Sequence, residues 1–521
     1  MNSSVLPHSA SGRVYFVGAG PGDPGLLTLR GAQYLSEADV VLYDELLDRR
    51  VLELANPAAD KINVGHRGGD GRRSLDQIFE LLITHARDGK RVVRLKGGDP
   101  YVFGRGGEEA LAMREAGISF EVVSGVSAAS GVLAYAGIPL THRNMAAVAV
   151  LVTGHEDPTK DSPSVNWQGL AALDATLVIF MGNRRMADIA DALMAGGRAA
   201  TTPTAVIEWG TWPSQRTVTG SLQTIAGLVK TAQVQSPALI VVGEVVSLRE
   251  HLSWFEAKPL FGRRVLITRS REQSGALQLL LESEGAAVTA LPVLDIRAPD
   301  DWSPVDTAVS DLARFGWIVF TSPNSVDYFC QRLQQGGRDS RAFGGISISS
   351  VGEATAQALR LRGIEPDLIP EKQSQEGLVE AFDQVAVAGV SILIPASSIG
   401  RTLLDDALRK RGAEVSRIVA YQNRPPEPSQ VALPAALEKG EIDLFVFASP
   451  SSLHHFLTVV GDAGKAMSSL TNGTIASIGP TTSRALTEIG LQPAIEPAQS
   501  TVPALVTAIC AHYESLPGPA R

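Results

Sequence analysis

Apolar positions in this chain gather into short continuous runs, and most runs end in a glycine-rich or Ser-Pro turn. The run at 14–17 leads into GAGPGDPG, the run at 92–95 into GGDP, and the run at 120–123 into SGVSAASG. Spacing predicts a helix over 26–38 and a strand at 40–43; further strands fit 147–153, 176–181, 204–208 and 238–242. Apolar runs that end in glycine-rich turns and lead into helices describe parallel α/β layers. Near 250–262 the pattern breaks. HLSWFEAKPLFG mixes aromatics with Pro and Gly and has neither period, so a linker is expected there, before RRVLITR opens a new α/β series.

The second series repeats itself. WIVFTSPNSVDYF (317–329) matches LFVFASPSSLHHF (444–456), and SISSVGEATAQALRLRGIEP (347–366) matches TIASIGPTTSRALTEIGLQP (474–493). Each copy reads strand, Ser-Pro turn, helix, then strand, glycine turn, helix. Two copies predict two similar lobes rather than a solenoid.

Composition narrows the function classes. At 521 residues the chain exceeds one hydrophobic core, and 44% hydrophobic with 19% charged residues fits globular domains. A net charge of −9 without a dense Lys/Arg run argues against a nucleic-acid partner. Two cysteines, Cys330 and Cys510, are too few for a disulfide framework or a multi-cysteine metal site, and no metal is expected. The first 11 residues read as a disordered tail without a secretory h-region, and no apolar run reaches the ~20 residues of a membrane helix. A cytoplasmic protein without membrane contact is therefore expected.

GAGPGD resembles a dinucleotide fingerprint, but Asp23 occupies the third glycine position, which disfavours a nicotinamide or flavin site. The longer context points elsewhere. GAGPGDPGLLTLRGAQYLSEADVVLYDELL, VRLKGGDPYVFGRGGEEA, VVSGVSAASGVLAYAGIPLTHR, TLVIFMG, AVIEWGTWPSQRTVTGSL and SPALIVVGEVV follow one another over about 12–252. In this order they resemble the tetrapyrrole methylase family. The wording of GGDPYVFGRGGEE and IPLTHR is nearest the uroporphyrinogen-III methyltransferase branch. The resemblance implies two α/β lobes, about 12–140 and 141–252, with S-adenosylmethionine between them. It assigns the cofactor to Pro21, Gly97, Gly98, Asp99, Val102, Ser127, Ala128, Met181 and Gly210. Glycines let backbone groups approach a ligand closely, and Asp99 would accept from the ribose or the ammonium, although alone it reads as a turn-capping residue. Asp44, in YDEL, is implied as the acceptor of the proton that leaves the macrocycle. The family's VGKRAG segment reads VGHRGG here, so the lysine treated as proton donor is replaced by His66 beside Arg67. A histidine titrates near neutrality and can keep that role or bind a substrate carboxylate.

From 262 onward, RRVLITRSREQSGALQLLLESEGAAVTALPVL, WIVFTSPNSV, SSVGEATAQAL, ILIPASSIGRTLLDDALRKRGAEVSRIVAYQNRP, DLFVFASPSSL and SIGPTTSRAL resemble uroporphyrinogen-III synthase. The expected organisation is thus a tail (1–11), a methyltransferase domain (12–252), a linker (253–261) and a synthase domain (262–521). In the synthase, lobe one is expected over 262–297 plus 428–521 and lobe two over 298–427. The resemblance implies hydroxymethylbilane as substrate, cyclised with inversion of its last pyrrole, and uroporphyrinogen III methylated twice to precorrin-2. Tyr421, in VAYQN, is the implied acid. Ser322, Thr355, Ser449, Thr481 and Thr482 sit at turns where helix N-termini offer N–H donors to carboxylates, a position equally suited to simple N-capping. Arg269, Arg401 and Arg484 are candidates for carboxylate pairing. A homodimer through the methyltransferase domain is implied. The alternative is one active half beside a tetrapyrrole-binding module.

Overall fold

The computed structural model describes residues 12–65, 73–155, 165–268, 271–293, 295–426, 431 and 433–516. Two compact units divide the chain, one running to Arg263 and the other taking most of Arg264–His512.

The first unit opens with strands β1 (Arg13–Gly18), β2 (Val40–Tyr43), β3 (Asp60–Asn63), β4 (Arg91–Lys96) and β5 (Ser119–Val123). They form one parallel sheet in the order β3-β2-β4-β1-β5. Both faces are covered, as the apolar runs require. Val17, Val41 and Val93 pack in one core, and Val14, Phe16, Leu42 and Val92 in another. A second sheet follows: β6 (Val148–Thr153), β7 (Ala175–Phe180), β8 (Pro203–Glu208), β9 (Arg216–Ser221) and β10 (Ala238–Val242), ordered β6-β7-β10-β8-β9. Here β6 and β7 are parallel, and the other pairings are antiparallel.

The expected linker is not a loose tether. Trp254 Nε1 donates to the Ala134 carbonyl at 2.9 Å, Phe255 is buried, and Arg249 bonds Glu256 at 2.5 Å.

The second unit contains β11 (Arg264–Ile267), β12 (Ala287–Ala290), β13 (Asp295–Arg297), β14 (Trp317–Phe320), β15 (Ser347–Ser350), β16 (Ser391–Ser397), β17 (Glu414–Arg424), β18 (Leu444–Phe447) and β19 (Thr474–Ser477). One sheet runs β12-β11-β18-β19 and the other β13-β17-β16-β14-β15. The chain therefore starts one sheet, builds the other, and returns. The expected division needs a small correction. Asp295–Arg297, counted with lobe one, pairs antiparallel with β17 in the second sheet. The sequence repeat has a structural counterpart. β14 pairs parallel with β15, and β18 with β19. Ser322 and Ser449 cap the helices Pro323–Gln335 and Pro450–Val460 with nearly equal backbone angles.

Among the described residues no helix is long and apolar enough to cross a membrane, and no group of three or more His, Cys, Asp or Glu is placed to hold a metal ion.

Candidate functional site

Three loops leave the carboxyl ends of β1, β4 and β5, the edge of a parallel sheet where ligands are bound in open α/β folds. Their backbones lock together. Gly98 N–H donates to the Gly20 carbonyl at 2.7 Å. Asp99 Oδ2 accepts from Gly125 N–H at 3.1 Å, and Oδ1 accepts from Tyr101 N–H at 2.8 Å. A side chain on Gly125 would collide with the Gly98 carbonyl and the Gly18 backbone, so glycine there serves the packing of the loops themselves. Gly97 differs. It is exposed, its φ is ordinary, and a Cβ would meet nothing nearer than Leu47 Cδ2 at 3.9 Å. The fold does not demand glycine at that point, and the position suits close approach of something else.

The remaining candidates on this unit gather at the same edge. Pro21 lies against Gly131 of the helix Ala128–Tyr135. That helix is capped by Ser127, whose hydroxyl accepts from Ala129 N–H at 3.3 Å. Gly210 is buried against Val132 of the same helix. Val102 N–H donates to the Asp99 carbonyl at 3.2 Å. Next to it Phe103 packs on Phe180 at 4.9 Å, which brings the second loop to the end of β7, where Met181 follows. Met181 is 55% exposed, a poor core methionine and a good contact surface. Five of the six described non-glycine residues with positive φ lie here: Phe103, Arg105, Met181, Trp209 and Thr211, the sixth being Gln233. Strained backbone concentrated in one place is a mark of a functional site.

Sequence reasoning missed the charges beneath Asp44. Its Oδ1 accepts from Arg94 Nη2 at 2.6 Å. Arg94 Nε also donates to Glu109 Oε2 at 3.0 Å, and Lys96 pairs with the other oxygen of Glu109. Arg94, Lys96 and Glu109 are all nearly inaccessible, whereas the Asp44 side chain is 32% exposed. Burial and neighbouring Arg94 push the Lys96 ammonium below the ordinary lysine value. Burial opposes charge on Arg94 too, but Asp44 and Glu109 outweigh it and raise its pKa. Arg and Lys inside an otherwise apolar strand were the available signal, since buried cations need partners. Gly65 lies against the Asp44 backbone; His66 and Arg67 lie outside the described residues.

In the second unit, Tyr421 and Ser322 meet. Their hydroxyls share a hydrogen bond at 3.1 Å, and Tyr328 stacks on the Tyr421 ring at 6.0 Å. The Tyr421 residue is only 7% exposed. Ser449 belongs to the other sheet, where its hydroxyl bonds that of Ser451 at 3.0 Å. Thr355 and Thr482 are buried, while Thr481 and Arg484 are exposed. Arg401 pairs with Glu376 at 2.8 Å on the surface. Arg269 lies outside the described residues.

Comparison with known proteins bears on both units. Residues 13–226 match the family model of Tetrapyrrole (Corrin/Porphyrin) Methylases, and residues 275–507 match that of Uroporphyrinogen-III synthase HemD. The Porphyrin biosynthesis protein HemD of Ruminiclostridium josui is 34% identical over 451 residues, covering 87% of this chain and 89% of that one. The chain belongs to the tetrapyrrole methylase and uroporphyrinogen-III synthase families. The Uroporphyrinogen-III C-methyltransferase of Bacillus subtilis is 39% identical, covering 68% of this chain and 74% of the relative. Siroheme synthase 1 of Cronobacter sakazakii is 54% identical, but only over 48% of this chain and 52% of its own length. A Thermus thermophilus uroporphyrin-III C-methyltransferase, solved with S-adenosyl homocysteine, is 44% identical and covers 46% of this chain and 100% of that one, at a TM-score of 0.40. The fusion of methylase and synthase is thus a bifunctional tetrapyrrole enzyme, a methyltransferase joined to a synthase.

Proposed function

We propose that this enzyme cyclises hydroxymethylbilane to uroporphyrinogen III in its second half, inverting the last pyrrole, and methylates uroporphyrinogen III twice in its first half to give precorrin-2. The observation that carries the methyltransferase reading is the open space over Gly97 at the meeting point of three interlocked loops.

S-adenosylmethionine supplies an electrophilic methyl group on a sulfonium. Gly97, Gly98, Pro21, Val102, Ser127, Ala128, Met181 and Gly210 would hold it, with Asp99 accepting from it while also tying the loops. Because the attacking pyrrole carbon is already nucleophilic, these residues contribute chiefly orientation. Asp44 takes the proton that must leave the macrocycle after the methyl group is transferred. Arg94 fixes one carboxylate oxygen and leaves the other for the substrate. His66 would donate a proton nearby or bind a substrate carboxylate.

In the second half Tyr421 protonates the departing hydroxyl, which leaves as water, and Ser322 orients the phenol. The substrate's carboxylates would lie at helix N-termini behind Ser322, Ser449 and the turns before Thr355, Thr481 and Thr482. Arg269 and Arg484 would pair with further carboxylates, and Arg401 would do so by exchanging Glu376 for the substrate. A net charge of −9 supports small-molecule partners over nucleic acid. A homodimer through the methyltransferase half completes the reading, and light scattering of the intact chain tests it.

Asp44→Asn is the sharpest test of the chemistry. With uroporphyrinogen III and S-adenosylmethionine supplied, release of S-adenosylhomocysteine should fall ~10²- to 10⁴-fold, with cofactor affinity unchanged. An unaltered rate would remove Asp44 from the mechanism.

A further inference from the structure

The segment after β10 ends in Trp254-Phe255-Glu256, and Glu256 is only 9% exposed. A buried carboxylate needs several donors, and this one has them. Its Oε1 accepts from Gln215 Nε2 at 2.8 Å and from Thr217 Oγ1 at 2.7 Å, and its Oε2 accepts from Arg249 Nη2 at 2.5 Å. The Gln215 contact leads toward the cofactor loops. Gln215, 4% exposed, turns its Oε1 to the backbone N–H of Thr211 at 2.8 Å. Thr211 stands at φ +73°, an uncommon conformation for a β-branched residue. Held there, its hydroxyl accepts from Asp23 N–H at 3.1 Å. Asp23 directly follows Pro21 and Gly22 in the first loop. The same aspartate is gripped from its other end, where Tyr135 Oη donates to Oδ2 at 2.6 Å. The Tyr135 ring packs on Phe255 at 4.8 Å and Trp254 at 5.0 Å, and Gln215 Nε2 donates to its carbonyl at 3.3 Å.

From these contacts we infer that Glu256 is a positioning residue for methyl transfer: through Gln215, Thr211 and Asp23 it fixes the Pro21–Asp23 loop in its binding conformation. The inference rests on the reading that this loop takes S-adenosylmethionine. Hydrogen-bonded chains of buried groups act as units, so loss of the anchoring carboxylate is felt at the far end. Glu256 touches no reacting atom, and its effect belongs to cofactor binding rather than to the chemical step.

The test uses the full chain carrying Glu256→Ala, Glu256→Gln, Thr211→Val or Gly97→Val. Titration calorimetry with S-adenosylhomocysteine gives affinity, steady-state methyl transfer gives kcat and KM, and synthase turnover of the same sample reports intact folding of the other unit. Glu256→Ala should weaken affinity and raise KM for S-adenosylmethionine by about five- to thirty-fold, the effect of one or two buried hydrogen bonds. The kcat at saturating cofactor should stay within about two-fold. Glu256→Gln keeps acceptors for Thr217 and Gln215 and should recover most of the affinity. Thr211→Val removes only the hydroxyl that holds Asp23, and should reproduce the loss should Glu256→Ala fail to fold. Unchanged affinity in Thr211→Val and in folded Glu256→Ala overturns the proposal. Gly97→Val separates the premise from the inference. If it abolishes binding while the other variants do not, the cofactor site stands and the positioning role falls. If it leaves binding intact, the cofactor site is elsewhere and the inference falls with it.

Discussion

The Tyr421 hydroxyl meets Ser322, the residue that caps the helix Pro323–Gln335. Tyr421→Phe should slow formation of the type III ring by about ten-fold or more, while methylation of supplied uroporphyrinogen III continues. Product analysis on each substrate checks this, and equal loss of both activities would contradict it. His455 supplies a pH prediction. It is 9% exposed, and its Nδ1 has no hydrogen-bond partner among the described residues. Burial holds its imidazole below the ordinary histidine value, against a smaller opposing effect of the Val293 backbone. The unfolded chain therefore takes up a proton that the folded chain resists. The contribution to stability is present above the unfolded value of ~6.5 and is lost as pH falls through the lower folded one. Unfolding of the second unit should come at lower denaturant at pH 5.5 than at pH 7.5, and His455→Leu should flatten that difference; an equal slope in the variant would refute it. Asp99 has two roles open to it. As a turn-capping residue or a cofactor ligand the sequence leaves it open, and the structure finds both of its oxygens holding backbone N–H groups. Asp99→Ala therefore carries a folding cost alongside any loss of cofactor affinity.

Strands were legible where the apolar run was continuous. The expected runs at 40–43 and 238–242 coincide with β2 and β10, and 14–17, 92–95 and 120–123 fall inside β1, β4 and β5. β3 and β9 escaped because DKIN and RTVTGS carry no continuous apolar run. The loop glycines were legible as a group, but not which of them serve packing and which an approach. That depends on what a Cβ would meet, a property of elements brought from distant sequence. The Arg94–Glu109–Lys96 cluster was hidden for the same reason, since Glu109 comes from the helix Gly106–Glu115 above the strand. Removing one member of a buried ionic cluster leaves an uncompensated charge. Glu109→Ala should therefore lower stability by ~3–5 kcal/mol, seen as a shifted unfolding transition of the first unit. A shift below ~1 kcal/mol would mean the cluster is solvated, in the range of surface pairs.

At the scale of the molecule, two sequence copies became two sheets with matching strand pairs and matching serine caps, and one family followed another along one chain. The segment expected as a linker behaves instead as the last structural part of the first unit, because its aromatics and Glu256 bury themselves there. Its lack of helical or strand period hid that role: irregular backbone can be held by side chains as firmly as by ladders. On the proposed reading, one chain carries both reactions in order. Incubation of the intact chain with hydroxymethylbilane and S-adenosylmethionine, followed by mass and isomer analysis of the tetrapyrroles, tests it directly. The expected product is a type III framework carrying two added methyl groups. An unmethylated product, or a type I framework formed at the uncatalysed rate, would contradict it.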